Sequence, residues 1–189
     1  MDMLWALIKG PKDTPYKNGV FLFDILLEAM YRDKPPKVHF LMYGGGKVRF
    51  NPNMYKNGTV CLGILGTWND RPGWKAGQSS IMQVLVSIQG LVLVADPYYN
   101  EPGYKRGPNQ FAADEYILKQ CLNTIEHSMI PTPSCPDPLL LLVIHTHFCL
   151  KAAQILSQCT AWMQEEKRPS FAKQYNQFIH KLCQNLDKL

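Results

Sequence analysis

At 189 residues, 46% hydrophobic and 19% charged, the chain has the composition of a globular protein with one sizeable core, alone or with an appendage. Twenty basic against fifteen acidic side chains give a formal charge of only +5, and no basic run exceeds two residues, which argues against nucleic-acid or membrane-surface binding by charge. Asp2 and the absence of a basic segment ahead of an apolar one give no sign of a signal peptide, and the longest apolar run, 139–144, is far short of the ~20 residues of a membrane span. In chain order, apolar segments at 3–9, 20–27 and 37–43 read as strands, with 47–50 as a short fourth. The turns between them are short, so an antiparallel meander is the economical topology. Ser79 or Ser80 can cap a helix over 80–94, in which Ile81, Val84, Leu85, Ile88 and Val92 recur at helical spacing and face the sheet.

After residue 96 a loop rich in Pro, Gly and Tyr runs to 108, and its aromatics predict that it packs back onto the domain. From 109 the texture is helical. Residues 111–129 contain few breakers, and prolines crowd 131–138. Phe148, Ala152, Ile155, Leu156, Cys159 and Trp162 then make one apolar face, and Phe171, Tyr175, Phe178, Ile179, Leu182 and Leu186 make another. The expected organisation is a core over 1–108 and a helical extension over 109–189.

Chemistry concentrates between residues 50 and 68. Asn51-Pro52-Asn53 and Asn57-Gly58 are turn formers, and Cys61 follows at the exit of the loop. A thiol there, with side-chain amides a few residues upstream, is a candidate nucleophile, because an amide can donate to an oxyanion forming at a thioester carbonyl. The six cysteines include no Cys-x-x-Cys pair, and with no signal sequence they read as reduced thiols in the cytoplasm or nucleus. His145, His147 and Cys149 alternate, a spacing that cannot put all three on one helix face, so no metal site is expected. A cysteine hydrolase would need a His partner for its nucleophile, and only His39 precedes the loop.

The strip Asn51-Pro52-Asn53, Asn57-Gly58 and Val60-Cys61-Leu62 resembles the active-site segment of ubiquitin-conjugating enzymes. Gly10-Pro11, Thr14-Pro15-Tyr16, Gly19-Val20-Phe21 and Pro35-Pro36-Lys37-Val38 upstream, with Trp74 and Asp96-Pro97 downstream, are similar to that family's landmarks in the same order. The resemblance covers about residues 3–108. Asn51 in place of the usual His, the run from Leu62 to Trp68, and Tyr98-Tyr99-Asn100-Glu101-Pro102 are most similar to the family's large members. That branch includes the conjugating domain of a giant baculoviral-repeat inhibitor of apoptosis.

The resemblance implies an α+β fold, with a four-stranded antiparallel meander packed on the central helix. It also implies a carrier that takes ubiquitin or a ubiquitin-like modifier as a thioester on Cys61 and passes it to substrate lysines. Asn53 matches the family's oxyanion-supporting Asn, Asn51 would brace the loop, and Glu101 falls where relatives keep an acid beside the incoming lysine. The implied partners are the modifier, an activating enzyme, and an E3 ligase or a directly recognised substrate. No cofactor is expected, since ATP is used by the activating enzyme. Two departures stand out: the chain opens almost inside the first strand, where relatives have a preceding helix, and Asp33 stands where an E3-contacting aromatic is common. The alternative is a catalytically impaired scaffold or modifier-binding module.

Overall fold

The computed structural model describes residues 2–41, 47–67, 73–100, 110–128 and 137–186. Three antiparallel strands, β1 (Asp2–Lys9), β2 (Val20–Leu27) and β3 (Lys37–Phe40), pair in the order β1-β2-β3. Strand alternation sends Phe21, Phe23 and Ile25 of β2 and Val38 and Phe40 of β3 to one face, all buried. Phe50 stacks edge-on against both Phe21 and Phe40, at ring separations of 5.6 Å, and so ties the start of the active-site strip into this core.

The expected fourth strand over 47–50 is not formed. Two competing interactions account for this. Beyond the β2 pairing, β3 meets the active-site strip itself: the Phe40 N–H donates to the Gly58 carbonyl at 2.7 Å, and His39 bridges to Thr59. The Phe50 carbonyl meanwhile accepts the Tyr16 hydroxyl at 2.8 Å, a side chain doing what a ladder would do. Among the described residues, the sheet therefore has three strands.

Against the inner face lies α1 (Ile81–Ser87), opened by Ser80 in a reciprocal capping box with Gln83. Its apolar stripe is as the spacing predicts, with Val84, Ile88 and Val92 fully buried and Ile81 and Leu85 packed beside them. The helix is not regular to residue 94, however. Its last turn, Ile88–Val92, widens to a π-helix closed by the Leu93 N–H to the Ile88 carbonyl, 3.0 Å. As at any helix end, the carbonyls of Leu91 and Val92 lack intrahelical partners, and they accept side-chain donors instead.

After a 3-10 turn at Pro97–Asn100, three α-helices follow among the described residues: α2 (Gln110–Ser128), α3 (Pro138–Glu165) and α4 (Pro169–Leu186). The expected core boundary at 108/109 falls outside the described residues. Cys121, Leu122 and Ile125 of α2, Ile144, Phe148, Ile155 and Cys159 of α3, and Tyr175 and Leu182 of α4 make a second core. These are the faces the periodicity predicts. Val20 and Leu7, on the outer face of the sheet, join this core, so the helices pack on the β1–β2 hairpin. A polar clamp fixes the contact: Asn18 donates to Gln158 (2.8 Å), Gln158 donates to the Lys17 carbonyl (2.8 Å), and His147 Nε2 meets the Asn18 carbonyl at 3.0 Å. By length and composition α3 is apolar enough to cross a membrane, although no run of 20 apolar residues announces it. Its face of Ile144, Phe148, Ile155 and Cys159 serves as core here.

Candidate active site

The loop between Phe50 and Cys61 is rigid because its side chains satisfy its own backbone. Asn51 Oδ1 accepts the Asn53 N–H at 2.8 Å, and the Met54 N–H closes a turn on the Asn51 carbonyl at 3.0 Å. At the far end Asn57 Oδ1 accepts the Thr59 N–H, and Gly58, at φ +85°, makes the reversal that lets Tyr55 and Thr59 pair. Arg49 donates to the Pro52 carbonyl at 2.6 Å and lies over the Tyr55 ring. His39 Nε2 is engaged by the Asn57 carbonyl at 2.9 Å, so it too braces the loop.

Asn51 is fully buried, and its side chain makes three hydrogen bonds among the described residues. Its Nδ2 donates to the Val92 carbonyl at 2.7 Å and to Tyr16 Oη at 3.0 Å, while Oδ1 holds Asn53. One amide thereby links the β1–β2 loop, the strip and the π-turn of the central helix. Burial, the largest cause, holds the Tyr16 phenol well above its ordinary pKa, so Tyr16 acts as a neutral hydroxyl.

Asn53 stands directly on the candidate nucleophile. Its main-chain carbonyl accepts the Cys61 N–H at 2.8 Å, and its Nδ2 donates to the Cys61 carbonyl at 2.9 Å. Cys61 is only 5% exposed, and its thiol donates to the Thr67 carbonyl at 3.5 Å. Past Cys61 a short 3-10 turn, Gly63–Leu65, ends at Gly66 with φ +70°, a left-handed residue that folds the chain back on Leu62. The wider surroundings are ordered too. Tyr98 packs edge-on against Tyr99 and against Tyr116 of α2, so the aromatic loop begins against the body of the protein; its remainder, 101–108, lies outside the described residues. Asn100 Nδ2 donates to the Leu91 carbonyl at 2.9 Å. Trp74 donates to the Arg32 carbonyl at 2.9 Å, beside Tyr31.

Cys61, Asn53 and Asn51 are thus brought together, while Glu101 lies outside the described residues. Two contributors were not legible as such in the chain: Tyr16, which the fold brings across from the hairpin, and Thr67, whose loop closure depends on the Gly66 turn. Cys121 and Cys159 lie in the second core, and Cys183 on α4 is half-buried. Burial pushes the thiols of Cys121 and Cys159 up to about 12, which leaves them unreactive at neutral pH. Cys149 is exposed on α3, and Cys135 lies outside the described residues.

The chain is similar to ubiquitin-conjugating enzymes from several organisms. Over 179 residues it is 43% identical to the human dual E2 ubiquitin-conjugating enzyme/E3 ubiquitin-protein ligase BIRC6, a match covering 92% of this chain and 4% of that protein. It is 46% identical over 168 residues to the probable ubiquitin-conjugating enzyme protein 17 of Caenorhabditis elegans, covering 86% and 23%. A third relative, the probable ubiquitin-conjugating enzyme E2 25 of Arabidopsis thaliana, is 41% identical over 167 residues, covering 86% and 27%. The chain therefore spans a minor part of each relative's length. The profile of the ubiquitin-conjugating enzyme family matches residues 1–125, about two thirds of the chain, and the protein belongs to that family.

Proposed function

We propose that the chain is a ubiquitin carrier with Cys61 as its acceptor thiol. In charging, the Cys61 thiolate attacks the thioester carbonyl that joins the modifier to its activating enzyme. A bond from Sγ to that carbon forms, and the activating enzyme's own thiolate leaves. In discharge, a substrate lysine amine attacks the same carbon, an amide forms, and Cys61 leaves as thiolate. The lysine proton must pass to a base, the role proposed for Glu101. Asn53 would support the oxyanion of this second step once its amide exchanges the Cys61 carbonyl for the new oxygen, and Asn51 would brace the strip.

The observation that carries this reading is the double tether of Asn53 on Cys61, which fixes a thiol beside an amide donor at the end of a rigid loop. The names of the relatives, all ubiquitin-conjugating enzymes, support ubiquitin as the modifier. The five described cysteines are all free, which supports a reducing compartment, cytoplasm or nucleus, and the resemblance to the inhibitor-of-apoptosis branch supports a part in apoptosis regulation. Incubating the chain with activating enzyme, ATP and ubiquitin, then running a non-reducing gel, tests the central claim. A band shifted by one ubiquitin and abolished by thiol is expected. A chain that never forms it would be a scaffold instead.

A further inference from the structure

Thr67 closes the loop that follows Cys61 through one backbone residue, Leu62. Its Oγ1 accepts the Leu62 N–H at 2.7 Å and donates to the Leu62 carbonyl at 2.9 Å, while its own N–H reaches the same carbonyl at 3.4 Å. Such a reciprocal clasp requires the chain to reverse within four residues, and Gly66, at φ +70° with open space around it, provides the reversal. The consequence falls on the neighbour of Leu62. With the clasp closed, the Thr67 carbonyl lies 3.5 Å from Cys61 Sγ and accepts its S–H, and Cys61 keeps only 5% of its surface exposed.

A carbonyl oxygen is a poor neighbour for an attacking sulfur. It accepts a hydrogen bond from the thiol, but its partial negative charge repels the thiolate that does the chemistry. The sulfur must therefore turn away from Thr67, or the loop must move, before a bond to an acyl carbon can form. We propose that Thr67 is a positioning residue for Cys61: its hydroxyl clasp on Leu62 holds the Thr67 carbonyl over the thiol and shelters the nucleophile until an acyl donor displaces the loop. This rests on the reading of Cys61 as the acceptor thiol, and it adds a restraint on that residue from its C-terminal side, complementary to Asn53 on the other.

The 189-residue chain supplies its own controls, because Cys149 is exposed and Cys159 is fully buried. The test is iodoacetamide labelling at one fixed pH, with peptide mass spectrometry resolving each cysteine. Thr67→Val, which keeps the shape and removes both hydroxyl bonds, should raise the Cys61-to-Cys149 labelling ratio by at least about fivefold, the factor corresponding to loss of one typical net hydrogen bond. Thr67→Ser, which retains the hydroxyl, should label like the parent. A Thr67→Val ratio within about twofold of the parent, with Cys159 still unlabelled, would overturn the proposal. Should Thr67→Val expose Cys159 through loss of fold, Gly66→Ala takes its place. It strains the left-handed turn and must raise the same ratio, and an unchanged ratio again overturns the proposal. Labelling needs no activating enzyme, so failure of the carrier reading is seen separately, as an absent ubiquitin band in the parent chain.

Discussion

Asn53 holds Cys61 by both of its backbone polar groups, accepting its N–H at 2.8 Å and donating to its carbonyl at 2.9 Å. The amide that would stabilise an oxyanion is therefore also a structural donor in the resting protein. Replacing Asn53 by Ala should slow discharge of the ubiquitin thioester to free lysine by on the order of 100-fold, while leaving thioester formation largely intact. Single-turnover discharge, read against the rate of charging, separates the two roles. Equal loss in both steps would assign Asn53 to holding the loop alone.

Cys61 is expected to be the only cysteine needed for charging. Cys61→Ala should form no thiol-sensitive adduct, and Cys61→Ser should form slowly an oxyester that survives thiol, because a hydroxyl is the weaker nucleophile and the poorer leaving group. Cys121 and Cys159, with thiols pushed up to about 12 by burial, should be replaceable by Ala or Ser without loss of charging wherever folding survives. Mass spectrometry of the adduct locates the site.

Tyr16 and Asn51 predict a stability effect. Tyr16→Phe keeps the edge-on contact with Phe21 but leaves the Phe50 carbonyl and one Asn51 N–H without their partner in a dry core. The expected loss is about 1–3 kcal/mol in denaturant unfolding. Tyr175→Phe is the matched control. The Tyr175 hydroxyl is equally buried, but the partner resolved for it is the weakly hydrogen-bonding Cys121 thiol, so its removal should cost less than that of the Tyr16 hydroxyl, about 1 kcal/mol or below.

His127 predicts a pH dependence. It is partly buried on α2 with its ring edge-on to Phe50, 6.4 Å between centroids, and Glu126 and Lys181 beside it. Burial, the largest cause, lowers its pKa below the ordinary 6.5; Glu126 opposes this and Lys181 adds to it. A base whose folded pKa is depressed takes up its proton more readily when unfolded. Stability from this group is therefore complete above about pH 6.5 and is lost as pH falls from there through the folded value. His127→Gln should show a smaller fall in melting temperature than the parent between pH 7 and pH 5. Parallel curves would remove His127 as the cause.

Much of this protein is set by its sequence alone, for a physical reason: the signals are local and periodic. Strand alternation in β2, the stripe from Ile81 to Val92, and the apolar faces of α3 and α4 each require one side of an element to leave water, whatever that side meets. The turn chemistry of Asn51, Pro52, Asn57 and Gly58 is local too, and the order of motifs around Cys61 pointed to the family. What the sequence could not supply was partnership across distance. The expected fourth strand failed because strand propensity at 47–50 does not reveal that β3 would meet Gly58 and Thr59, or that a tyrosine hydroxyl would take the Phe50 carbonyl. The π-turn at Ile88–Val92 is likewise invisible in a regular apolar repeat, yet it presents the carbonyl that Asn51 needs. Tyr16 reaches the strip, and the Thr67 carbonyl reaches Cys61, only when the hairpin loop and the Gly66 reversal are folded. Hydrogen bonds of this kind depend on atom positions within a few tenths of an ångström, which only the packed tertiary structure fixes.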